Sequence, residues 1–138
     1  MAEETLVKEA LTEEMKSAGA ALTRELDDTG WRMVASFWYF ESSENRWKLV
    51  LASPRVSADG PKKAYDAVAQ ALEALHESFA NLEHITVVGP DHPLIKTFAS
   101  AIQTGWTIGG IRFSRKSING HFVEDAYLYR IASESAAA

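Results

Sequence analysis

The densest grouping of reactive side chains lies near the C-terminus, where Arg112, Ser114, Arg115, Lys116, His121, Glu124 and Asp125 fall close together. Strand alternation assigns Phe122, Glu124, Ala126, Leu128 and Arg130 to one face, and His121, Val123, Asp125, Tyr127 and Tyr129 to the other. Two adjacent acids in an apolar strand must point opposite ways, and the inward one needs a partner or is driven towards its neutral form. Arg112, across the Asn119-Gly120 turn, is the natural partner. With Asp125 as base, His121 as shuttle, Tyr127 as hydrogen-bond donor and Arg112 nearby, this group has the parts of a metal-independent hydrolase or nuclease acting on an ester or phosphodiester. The plainer alternatives are a structural ion pair, or an edge strand charged against unwanted pairing.

A second grouping is Gly89-Pro90-Asp91-His92-Pro93, where a strand end meets a helix start. Backbone amides and the helix dipole at such a junction attract anions, which makes Asp91 and His92 candidates for sensing a small anionic ligand. The simpler expectation is that Asp91 caps the helix while His92 sits exposed in its first turn. The third grouping is aromatic. Alternation puts Trp31, Phe37 and Tyr39 on one strand face and Trp38 and Phe40 on the other. If helices do not cover both faces, Trp31, Phe37, Tyr39 and the loop residue Trp106 offer an interface to another protein or to a second copy of the chain.

Absent patterns narrow the chemistry. There is no phosphate-binding loop, no dinucleotide fingerprint, no H-E-x-x-H and no G-x-S-x-G. The Pro90-Asp91 pair lacks a following D/E-x-K, the only E-x-K being Glu14-Met15-Lys16 upstream. None of the four histidines stands four residues from another, and cysteine is absent, so neither a metal nor another cofactor is expected. Arg112, Arg115 and Lys116 are too few for a nucleic-acid footprint, and nucleic acid is not an expected partner.

The elements that must hold these residues follow from a chain of 138 residues, 46% apolar and 24% charged, the make-up of one globular domain. Net charge is −5 and sits in residues 1–30, which hold eight acids and three bases. No run reaches membrane-spanning length, and the acidic start lacks the basic and apolar regions of a secretory signal, so a cytoplasmic location is expected. Apolar spacing from Leu6 to Leu26 predicts a helix over 6–29, stopped by Gly30. The aromatic run predicts a strand over 31–40, buried on both faces and paired antiparallel with one over 46–53. After a loop at 54–60, Pro61 opens a helix with Tyr65, Val68, Ala69, Leu72, Leu75 and Phe79 inward. A strand at 85–88, a helix led by Leu94, Ile95, Phe98 and Ile102 and ended by Gly105, and strands at 111–114 and 122–131 complete the pattern. The expected architecture is α+β, α-β-β-α-β-α-β-β: a five-stranded mixed sheet with three helices packed on it, over residues 1–132, with 133–138 a disordered tail. The leading functional expectation is a small non-enzymatic protein-interaction module, adaptor or regulatory, able to self-associate as a homodimer.

Overall fold

A computed structural model describes residues 9–75 and 84–132. Helix α1 (Glu13–Asp28) leads into a hairpin of β1 (Ala35–Glu41) and β2 (Arg46–Ala52). A short α2 (Arg55–Asp59) and the longer α3 (Pro61–Leu75) carry the chain to β3 (Ile85–Val88). Then come α4 (Pro93–Ala101) and a second hairpin, β4 (Ile111–Ile118) and β5 (His121–Ile131). The five strands lie in the order β3-β2-β1-β5-β4. β2 and β3 are parallel, as a helical crossover requires, and every other neighbouring pair is antiparallel. This is the expected α+β domain, with one short helix added in the loop at 54–60.

The sheet is covered on both sides, which explains the unbroken apolar run of β1. Trp38, Phe40, Leu49 and Leu51 meet Leu22 and Leu26 of α1 and Val68 and Leu72 of α3. Phe37, Val50, Leu128 and Ile131 meet Ile95 and Phe98 of α4, with Phe37 edge-on to Phe98 at 5.0 Å. Burying each such side chain is worth about 1.5–3 kcal/mol, so the two layers supply most of the drive to fold.

Several boundaries move for local reasons. Helix α1 starts at Glu13 because the Thr12 side chain accepts a hydrogen bond from the Met15 amide at 3.1 Å. Residues 9–12 approach without helix, and Glu9 instead receives the Trp47 amide and, on its carbonyl, the Trp47 indole N–H, each at 2.8 Å. Leu6 and Val7 of the expected helix, and Phe79 of the next, lie outside the described residues, as does the expected tail at 133–138. Gly30 does end α1, at φ 90°, with the Trp31 amide returning to the Leu26 carbonyl. Strand β1 begins at Ala35, because Arg32 takes φ 53° and breaks the extended path after Trp31. Helix α4 stops at Ala101, where Ile102 turns extended, and β4 runs on to Ile118.

A buried polar knot ties α1 to the sheet. The Trp38 indole donates to the Tyr129 hydroxyl at 2.9 Å, which donates to the Lys16 carbonyl at 2.6 Å. Burial, more than the neighbouring Tyr127, raises the Tyr129 phenol well above its ordinary value of 10.0, the Trp38 hydrogen bond opposing. Burial and then Glu41 raise Tyr39 as well. A value raised on folding gives stability that is complete below the unfolded value and lost as pH climbs above it, since the unfolded chain ionises first. Alkaline unfolding is therefore expected to set in above about pH 10, with the last phenolate absorbance appearing together with loss of structure. A Tyr129→Phe chain with an unchanged alkaline midpoint would contradict this.

Among the described residues no helix is long and apolar enough to cross a membrane.

Candidate functional site

The terminal hairpin is where the predicted side chains are best defined. β5 pairs with β1 only from Ala126 onward, so its first residues bond to β4 alone and form a two-stranded ribbon. Asn119 and Gly120, both at positive φ (51° and 81°), make the tight turn at its tip. β4 is the last strand of the sheet, and Arg112, Ser114, Arg115, Lys116 and Ser117 along it are exposed.

Arg112 and Asp125 meet as expected. The guanidinium Nε and Nη2 donate to the two carboxylate oxygens at 2.6 and 2.9 Å, and the Ser114 hydroxyl adds a third hydrogen bond at 3.0 Å. The Asp125 side chain is only 4% exposed, whereas that of Arg112 is 44% exposed. The hydrogen bond to Asp125 holds the Arg112 guanidinium above its usual value despite some desolvation. A bidentate, fully engaged carboxylate of this kind is a structural anchor. As a base it would have to give up these bonds to take a proton.

His121 does not join them. Arg115 adopts φ 51° in mid-strand and resets the alternation of the ribbon. Ile118 therefore shares the α4 side of the sheet with Phe113, an odd number of residues away, and Val123 lies there with Ala126 and Leu128. His121, opposite Ile118, is carried to that side, where its Nε2 lies 3.3 Å from the Tyr39 hydroxyl. Arg112 stands over the Trp47 ring at 5.5 Å and Tyr127 packs on the α1 side, with the Lys16 ammonium 4.9 Å from its ring centre. The expected trio of Asp125, His121 and Tyr127 on one face is thus corrected: the sheet separates the histidine from the other two.

The junction before α4 also departs from expectation. His92, not Asp91, caps the helix, its Nδ1 accepting the Leu94 amide at 3.1 Å. The Ile95 and Lys96 amides both go to the His92 carbonyl, and Pro93 has no N–H. The first turn therefore has no spare donors for an anion, and Asp91 is simply exposed. His92 does border a small cavity of about 180 Å³ with Tyr39, Glu41, Lys48 and Thr86.

No known protein-family model, curated protein or solved structure matches this chain. The site must be read from its own geometry.

The aromatic interface needs the largest correction. Phe37 is 0% and Trp31 6% exposed, each inside a core. They do not share a face, because the positive φ of Arg32 turns Trp31 to the α1 and α3 side. Tyr39 and Trp106 remain partly exposed. The exposed aromatic is instead Phe122, at 55% the only large apolar side chain so open among the described residues. Its position just after Asn119-Gly120 was the available signal, since a residue beside a tight turn at a ribbon tip has few neighbours to cover it. Phe122 stands opposite Ser117, next to the Lys116–Val123 pair. No group of acids and histidines able to hold a metal ion occurs among the described residues.

Proposed function

We propose that this chain is a non-enzymatic protein-interaction module, and that its docking surface is the terminal ribbon. The observation that carries the reading is Phe122, an open aromatic on the two-stranded end of the hairpin at the free edge of the sheet. An edge strand offers unpaired backbone groups to an added strand, and an adjacent aromatic gives that strand an anchor. Charge selects the partner. Arg112 is paired with Asp125, but Arg115 and Lys116 make no ion pair among the described residues, so two β4 edges brought together would set like charges face to face. The ribbon therefore favours an extended acidic segment of another protein over a second copy of itself.

The test is binding of an extended peptide that alternates glutamate with apolar residues. Phe122→Ser is expected to weaken it by about 30-fold, the value of burying one aromatic anchor of about 2 kcal/mol. Arg115→Glu with Lys116→Glu is expected to abolish it, and rising salt to weaken the unmodified chain steadily. Both variants are expected to keep the thermal midpoint, because the altered side chains are exposed. Equal affinity in all three chains would overturn the reading, as would a stable salt-resistant dimer closed through the ribbon.

A further inference from the structure

Beyond the ribbon, we infer that the depression around Trp106 is a binding site for a phosphorylated aromatic ligand of the nucleoside monophosphate class. Trp106 belongs to the connector between α4 and β4, and it forms a wall of two adjoining grooves. The larger, about 480 Å³, runs between Arg24, Asp27 and Asp28 at the end of α1 and Trp106 and Ile108, with Arg130 among its walls. The smaller, about 390 Å³, shares Asp27 and Trp106 and is closed by Gly30 and Arg32. Each is of the size that holds a small ligand.

Three arginines line these grooves in different states, and two of them, Arg32 and Arg130, stand over the indole. Arg130 is buried, its Nη1 2.9 Å from Asp27 and its Nη2 donating to the Trp106 carbonyl at 2.7 Å, which fixes the connector in place. Its Nε is the one buried side-chain nitrogen or oxygen left without a hydrogen-bond partner among the described residues. A buried donor left open is unfavourable, and a ligand acceptor reaching it from the larger groove would relieve that. Arg32 stands over the indole at 5.4 Å, held there by a backbone at φ 53° that a non-glycine residue rarely adopts. Arg24 is exposed at the rim, and neither it nor Arg32 makes an ion pair among the described residues.

The chemistry follows from these parts. Arginine side chains bind phosphate oxygens in a bidentate fork, and Arg24 and Arg32 flank the shared wall from either groove. The open part of Trp106, with Ile108, offers an aromatic and apolar surface against which a base can lie. Asp27 is already neutralised by Arg130 and hydrogen-bonded to the Met33 amide at 3.0 Å, so it does not repel the anion. Asp28, exposed on the rim, is placed to accept from a sugar hydroxyl.

The experiment is a titration of the ¹⁵N-labelled chain with adenosine monophosphate, adenosine and inorganic phosphate, read at the indole resonances. There are four tryptophans, and Trp106→Phe identifies the one concerned. Adenosine monophosphate is expected to shift the Trp106 indole signal saturably, with adenosine and phosphate each at least about tenfold weaker. Arg32→Asn keeps a residue that tolerates positive φ but removes the charge, and is expected to weaken the nucleotide about tenfold. Arg115→Ala, distant on the ribbon, is expected to change nothing, which separates this site from the proposed docking surface. No shift of the Trp106 signal at millimolar nucleotide would overturn the inference. Phosphate binding as tightly as the nucleotide would overturn it too, as would an unaltered affinity in Arg32→Asn.

Discussion

Replacing Asp27 by alanine is expected to remove about 3 kcal/mol of stability, a large share of the roughly 5–15 kcal/mol that holds a domain of this kind together. The reason lies in what is left behind. Arg130 is 4% exposed and Asp27 27%, so the arginine is the member that cannot reach water. Without the carboxylate, its charge is met by no anion, only by the Met33 and Trp106 carbonyls, at 2.8 and 2.7 Å, and the Trp106 ring at 5.2 Å. The Met33 amide also loses its acceptor, the Asp27 Oδ1 at 3.0 Å. Asp27→Asn divides the effect, because an amide oxygen can still accept from Met33 while the charge is gone. Urea unfolding is the measurement. Most of the loss is expected in both variants. An asparagine chain as stable as the parent would mean that the hydrogen bond, and not the ion pair, carries the stability.

A comparable effect is expected from the smallest possible change in α1. Gly19→Ala should lower stability by about 3 kcal/mol and the melting midpoint by about 10 °C. The sign is the diagnostic part. In an exposed helix interior the same change stabilises by about 1 kcal/mol, since alanine is the better helix former. Here a methyl group would sit 2.4 Å from the Tyr129 hydroxyl and 2.8 Å from the Trp38 indole nitrogen. Neither can swing away, because each is buried and hydrogen-bonded to the other. The helix must lift or the knot must open. Gly109→Ala is the control, as nothing lies within 4 Å of the added carbon, and it should be nearly neutral. A stabilised Gly19→Ala chain would show that α1 does not seat against the sheet as closely as this.

Both effects rest on contacts that no local pattern announces. Gly19 lies in a helical stripe whose apolar members, Ala18, Leu22 and Leu26, are legible by their spacing, yet a glycine beside them carries no sign that an indole and a phenol arrive from strands far along the chain. Asp27 reads as one more acid of an acidic helix until Arg130 of the last strand reaches it. The Arg112–Asp125 pair, by contrast, was legible, because an Asn-Gly turn fixes which residues of a hairpin stand near one another. Asp91 was the better statistical cap and lost the position to His92, since Pro93 at the first helical residue sets the cap one place later.

By itself the sequence determined the kinds of element and their succession, the short α2 excepted. Period-2 and helical spacing of apolar residues, with Gly30, Gly60-Pro61 and Asn119-Gly120 as punctuation, are local properties, and local energetics suffice to write them. The tertiary structure alone decided the strand order, the division of aromatics between two cores, and the side of the sheet on which each candidate residue stands. Backbone reversals at Arg32 and Arg115, both with φ near 50°, and a register shift between β1 and β5 at Ser36/Phe37 each break the alternation where they occur. A strand's alternation is a phase, and one residue in the left-handed region shifts it. Such a conformation is unfavourable for arginine taken alone and is held only by the packing on either side of it. For that reason Trp31 parted from Phe37, and Ile118 joined the side of the sheet that faces α4.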